Sequence, residues 1–275
     1  MRFQFPSLLT AISLLSPVFA AKTLNIVAHP DDDLLFINPD IQHDISAGFD
    51  VRTVFLTSGD AGQPSEFWTL RQAGLLAAYA QMAGVQNVWD ESDAGVPGKD
   101  IPLYTLRSRP GVSIALMHIP DGSMDGNGFL ATGYESLEKL WKGAIQRIRT
   151  VDNSGTTYSK GELVDTLEQI INSFKPDSLN SLDYIHEYGS GDHSDHTSAG
   201  LFTNDAAIAS VFPGSVIAYR GYPIKFEPQN VFDDLAKKKE VFYTYAAYDA
   251  TVCGSDPDCG GKEYELWLPR QYTAN

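Results

Sequence analysis

Short apolar, β-rich runs alternate with helix-like segments along most of this chain, and that alternation limits its fold more than any other feature. Thr23–Ala28 (TLNIVA) and Val51–Thr57 (VRTVFLT) are largely hydrophobic, the pattern of strands buried on both faces of a parallel sheet. A helix is expected between them near Pro39–Ala47, completing a βαβ unit. Leu70, Ala73, Leu76, Ala77 and Ala80 recur at helical spacing, so a long helix is expected over Ser65–Ala83, stopping at Gly84. Further strands are expected at Asn87–Trp89, Ile114–Ile119, Ser178–Tyr184 and Ser215–Tyr219. Helices are expected at Glu135–Arg149, at Gly161–Phe174 and from about His193 to Ala209. Elements in this order predict an α/β, Rossmann-like three-layer sandwich with a mostly parallel central sheet. No shift in composition divides it, so residues 21–275 read as a single domain.

Residues 1–20 read as a secretory signal peptide. Arg2 precedes a mostly apolar stretch from Ser7 to Leu15, and Val18-Phe19-Ala20 has the small-x-small form of a cleavage site. Pro6, Ser16 and Pro17 keep the apolar run well under the roughly 20 residues that a membrane span needs. The protein is therefore expected outside the cell. In that oxidising setting Cys253 and Cys259, six apart in CGSDPDC, are expected to form a disulfide. The formal net charge of −15 would repel phosphodiester backbones and anionic bilayers, which argues against nucleic-acid partners and stable membrane association.

Two polar motifs follow strands, where ligands of parallel sheets sit. The first is AHPDDD, Ala28–Asp33. A dinucleotide site would need glycines here, yet residues 21–47 contain none, and three successive carboxylates would repel a pyrophosphate. A cation suits the motif better: His29 offers an imidazole nitrogen and Asp32 a carboxylate oxygen. Asp31, a carboxylate beside the ion without ligating it, could take a proton from water. The second motif is HSDH, His193–His196. Its histidines are three apart, so at a helix start they share one face, one as a metal ligand and one toward substrate. Asp195 is suited to orient a histidine by accepting its N–H. Two histidines and one carboxylate leave a zinc position open, which marks a catalytic rather than a structural site.

Together with PDG at Pro120–Gly122 and Arg71 on the intervening helix, these motifs resemble those of the PIG-L/LmbE-like N-deacetylases, over Leu24 to about Tyr248. The resemblance implies a zinc-dependent hydrolase that removes acetyl from N-acetylglucosamine-type sugars or glycoconjugates. It implies that His29, Asp32 and His196 hold Zn2+, that Asp31 is the general base, and that His193 is the electrophile or acid. Arg71 and Asp121 would contact the sugar. Three positions depart from the family pattern: Asp33 stands for a usual Glu, Gly74 for the Glu of Arg-x-x-Glu, and Gly191 for a mobile Tyr whose role would fall to Tyr188 or Tyr222. Two alternatives stay open here, a metal-dependent carbohydrate-binding protein without turnover and a membrane-anchored GlcNAc-phosphatidylinositol de-N-acetylase. His118 reads as a hydrogen-bonded core residue, and Lys237–Lys239 as a solvated helix face.

Overall fold

In a computed structural model, residues 20–274 are described; the expected leader therefore lies, except for Ala20, outside them. Strand β1 (Lys22–Val27), helix α1 (Asp40–Ala47), strand β2 (Asp50–Thr57) and helix α2 (Ser65–Met82) open the fold, close to expectation. A hairpin, β3 (Trp89–Asp93) and β4 (Pro102–Leu106), leads into β5 (Val112–Ile119). After a long loop come α3 (Leu137–Trp141), the short ribbon β6 (Ile148–Arg149) and β7 (Thr157–Tyr158), α4 (Lys160–Phe174), β8 (Ser178–Leu182), α5 (Ser194–Ala209), β9 (Ile217–Tyr219) and α6 (Leu235–Ala246).

The main sheet runs β3-β4-β5-β2-β1-β8-β9. Its five strands from β5 to β9 pair in parallel, and β3 and β4 close one edge antiparallel. The chain first builds outward from β1 through β2 to β5, then returns to place β8 on the other side of β1. Right-handed crossovers put α1 and α2 on one face and α4 and α5 on the other, which gives the three layers. The order reverses between β1 and β8, and in open parallel sheets the crevice at the carboxyl ends of such a strand pair is where ligands bind. AHPDDD leaves β1, and HSDH follows β8. Among the described residues no helix is long and apolar enough to cross a membrane.

Three expectations are corrected. The strand expected at Asn87–Trp89 is β3, four residues further on at its end, and β4 was not foreseen. WDESD is an exposed edge strand, so it carries charge where a buried strand carries apolar residues. The helix expected over Glu135–Arg149 is only α3; the chain then turns through Gly143 at φ +72, and Ile148–Arg149 pairs with β7. Lys238 is not on a solvated face: it is fully buried, and its Nζ donates to the carbonyls of Leu35 and Arg270 at 2.7 and 2.8 Å. His118 is buried as expected, held by Asp152 and Gln72 at 3.2 and 3.3 Å. Cys253 and Cys259 are joined in a disulfide.

Candidate metal centre and active site

Beyond β1 the backbone turns sharply, with Asp31 at φ +98, and enters a π-helical turn at Asp33–Ile37 whose side chains are buried. A non-glycine residue at that φ is strained, and such strain concentrates at functional sites. The turn faces Asp32 inward: its Oδ2 accepts from the His29 backbone N–H at 2.6 Å and lies 3.1 Å from His29 Nδ1. Its Oδ1 lies 2.9 Å from His196 Nε2, brought in on the first turn of α5. Ligand atoms of His29, Asp32 and His196 all fall within 4.8 Å of one another, and all three residues are buried.

The far nitrogens of both histidines are held by carboxylates. Asp195 Oδ2 lies 3.2 Å from His29 Nε2, so it orients His29 rather than a histidine of its own motif. Asp192 Oδ1 lies 2.7 Å from His196 Nδ1. Such carboxylate–histidine pairs fix ring orientation and tautomer at metal sites. Asp192 was not identified from the sequence, although its i,i+4 spacing to His196 was a usable signal. It also accepts from the Tyr222 backbone N–H at 3.0 Å, and a Cβ at Gly221 would come within 2.5 Å of its carboxylate. Asp192→Asn is expected to weaken zinc affinity by about 10- to 100-fold, read by competition with a chromophoric chelator; unchanged affinity would remove Asp192 from the site.

The donor set fits a divalent ion. His196 Nε2 is buried and makes no well-directed hydrogen bond, although Asp32 Oδ1 lies 2.9 Å from it; a cation that displaces the ring proton would satisfy both atoms. Burial pulls both imidazoles down, but carboxylates outweigh it: His29 stands well above its ordinary value, and Asp32 and Asp192 hold His196 up to about 10. Asp32 is held well below the usual carboxylate range by His196 and His29, against its burial.

Asp31, Asp121, His193 and Arg71 line a small cavity of about 100 Å³ with His29 and Asp32. Burial pushes Asp31 up to about 8 against the pull of Arg71. Burial and the neighbouring His29 bring His193 down to about 4, so its ring is neutral at pH 7. Its Nδ1 accepts from the Asp195 backbone N–H at 3.1 Å, which leaves the ring proton on Nε2. Asp121 is anchored by its own backbone N–H, donated to Asp60 Oδ1 at 2.8 Å. The next residue must be glycine: Gly122 N–H donates to Asp195 at 2.7 Å, and a Cβ there would meet that carboxylate at 2.5 Å.

Arg71 sits behind Asp31 with every guanidinium nitrogen engaged. It donates to the carbonyls of Gly59 and Pro30 and to the Tyr245 hydroxyl at 2.7, 2.6 and 2.8 Å, and pairs with Asp31 and Asp249 at 3.3 and 2.9 Å. The departure at Gly74 has a physical cause: a Cβ there would lie 2.8 Å from the Tyr245 ring, so glycine admits α6 against α2. Asp249, just beyond α6, then supplies a carboxylate for Arg71. Asp33 lies outside the cavity, buried and accepting from Tyr79 at 2.7 Å. Of the two tyrosines considered for the missing position, Tyr222 lines the cavity and stacks on Trp267 at 4.6 Å, whereas Tyr188 bonds Ser198 and lines a separate groove.

A family profile described as PIG-L, GlcNAc-PI de-N-acetylase, matches residues 24–207, about two thirds of the chain. A search of curated proteins finds no match. Among solved structures, an N,N'-diacetylchitobiose deacetylase from Pyrococcus horikoshii, complexed with an inhibitor, is 15% identical over 90% of this chain and 76% of its own, with a TM-score of 0.51. The zinc-inhibited form of a teicoplanin deacetylase is 16% identical over 90% of both chains, with a TM-score of 0.50. At these identities the likeness is one of fold.

Proposed function

Since the chain belongs to the PIG-L family of GlcNAc-PI de-N-acetylases, we propose that it is a secreted, zinc-dependent N-deacetylase that hydrolyses the acetamide of N-acetylglucosamine-type sugars or glycoconjugates to acetate and a free amine. The observation that carries this reading is the convergence of His29, Asp32 and His196, with His196 Nε2 buried and making no well-directed hydrogen bond. These three residues would hold the ion. A zinc ion held there supplies Lewis acidity, lowering the pKa of water toward about 7 and drawing charge from a carbonyl oxygen.

Asp31 lines the same cavity outside the convergent set; the charge of an ion beside it would favour its ionised form against burial, and that carboxylate accepts the proton of the attacking water. Arg71 keeps that carboxylate in place from behind. The Nε2–H of His193 donates to the carbonyl oxygen as negative charge builds there. Asp31 then returns its proton to the leaving amine as the C–N bond breaks. The resemblance implies that His193 is the electrophile or acid, and a neutral ring with its proton on Nε2 serves as that electrophilic donor. Asp121 keeps its place at the cavity wall, within reach of a bound sugar.

Acetate release from N-acetylglucosamine and its oligosaccharides is expected to stop when a chelator strips the protein and to return with zinc. Continued release from stripped protein would overturn the reading. Because carboxylates keep His29 and His196 protonated near pH 7 without metal, loading must expel protons. Calorimetry in buffers of different ionisation enthalpy is expected to register about one to two protons per zinc near pH 7, with affinity rising as pH rises; affinity independent of pH would contradict it. The disulfide between Cys253 and Cys259 supports an extracellular setting. Amino-terminal sequencing of exported protein is expected to begin at Ala21, and an intact leader would contradict secretion by cleavage.

A further inference from the structure

We propose that a polar cleft beside the catalytic cavity, walled by Asp60, Trp68, Ala131, Glu135 and Arg149, holds the group attached to the acetamido sugar and makes a neutral oligosaccharide the preferred substrate. This deepens the deacetylase reading and rests on it. Size points outward first. The cavity of about 100 Å³ takes the reacting acetamide but little of a sugar ring, whereas the cleft measures about 450 Å³, within the range of about 300–1,000 Å³ usual for ligand sites.

Position agrees with size. Asp60 walls the cleft, Asp121 walls the cavity, and the 2.8 Å hydrogen bond between them makes a shared partition. Trp68 and Arg71 stand one turn apart on α2, one lining each space. The two banks of the cleft are locked together at Gly62, φ +69, where a Cβ would lie 2.8 Å from that of Phe129. A chain of linked sugars can therefore place one acetamide at the ion and its neighbour beside Trp68.

Chemistry narrows the occupant. Glu135 keeps a free carboxylate oxygen and Arg149 its guanidinium donors, and the largely buried Trp68 shows a small apolar patch between them, a mix that suits sugar hydroxyls and ring C–H groups; Asp60 is wall rather than ligand, both its oxygens accepting backbone N–H groups, of Asp121 and Gly62. Among the described residues the exposed Arg149 guanidinium has no ion pair or hydrogen bond; only its backbone N–H is used, donated to Glu135 at 2.7 Å. A phosphoinositide would bring its phosphate against two carboxylates for one guanidinium, and like charges across an interface are costly.

The test compares kcat/KM for N-acetylglucosamine, its β-1,4-linked disaccharide and N-acetylglucosaminyl-phosphatidylinositol in vesicles, in the parent protein and in Ala131→Trp and Arg149→Ala. The parent is expected to favour the disaccharide over the monosaccharide by about tenfold or more. Ala131→Trp, which fills the cleft, is expected to bring that ratio near one, and Arg149→Ala to lower it several-fold. A parental ratio near one, a ratio unmoved by Ala131→Trp, or faster turnover of the phosphoinositide would overturn the proposal. Binding separates its failure from that of the activity. By calorimetry, affinity for the disaccharide at least several-fold above that for the monosaccharide, and reduced to the monosaccharide's by Ala131→Trp, supports the subsite even if no acetate is released; equal affinities in the parent overturn it.

Discussion

Asp31→Asn is expected to lower kcat for acetate release by about 10²- to 10⁴-fold, the share that a positioned general base supplies, while zinc content stays at the parent level. The substitution separates chemistry from folding for two reasons. Asn is among the few residues that tolerate the left-handed backbone, which Asp31 occupies at φ +98, and it keeps the side chain's size. Arg71 also keeps Asp249 and two backbone carbonyls as partners, so the guanidinium is not stranded. A protein that only bound sugars through its ion would be indifferent to this change. Full activity in Asp31→Asn would assign the proton transfer to another group, and a loss of zinc in parallel would make Asp31 a ligand instead of a base.

Arg71→Met is expected to destabilise the protein by about 3–5 kcal/mol, the usual result of removing one partner from a buried ionic network. It leaves Asp31 and Asp249 without the cation between them, and it frees the carbonyls of Pro30 and Gly59, all of them largely buried. At about 2–4 °C per kcal/mol for a chain of this length, Tm should fall by roughly 10 °C. Acetate release should fall with it, because the clamp that aims Asp31 is gone. If Arg71 serves chiefly as a sugar contact, Tm will hold and only KM will rise. Tm by calorimetry and KM by acetate assay decide between the two.

The interior of the sheet was legible because β1, β2 and β5 are largely buried on both faces and read as mostly apolar runs. The edge hairpin was not, since β3 carries its acids to solvent and β4 is half-buried. Lys238 shows the same limit from the other side: charge in sequence suggests water, but a lysine stem can run through apolar surroundings and deliver its ammonium to buried carbonyls.

At the site, legibility followed chain distance. His29, Asp31 and Asp32 are nearly consecutive, as are His193, Asp195 and His196, so residue chemistry and spacing could be read together. Asp60 and Asp249 acquire their roles only when distant elements meet, Asp60 beneath the loop after β5 and Asp249 against α2. Asp195 was read as a partner of a histidine, yet which histidine depended on β1 and α5 lying side by side. Gly74 looked like a missing carboxylate until α6 was seen packed against it.

Anomalous diffraction at the zinc edge, from crystals of protein loaded with one equivalent of zinc, addresses the central claim most directly. A single strong peak is expected between the imidazoles of His29 and His196 and the carboxylate of Asp32, at roughly 2.0–2.2 Å from each ligand atom. A peak elsewhere, or one contacting only one of the two histidines, would contradict the account.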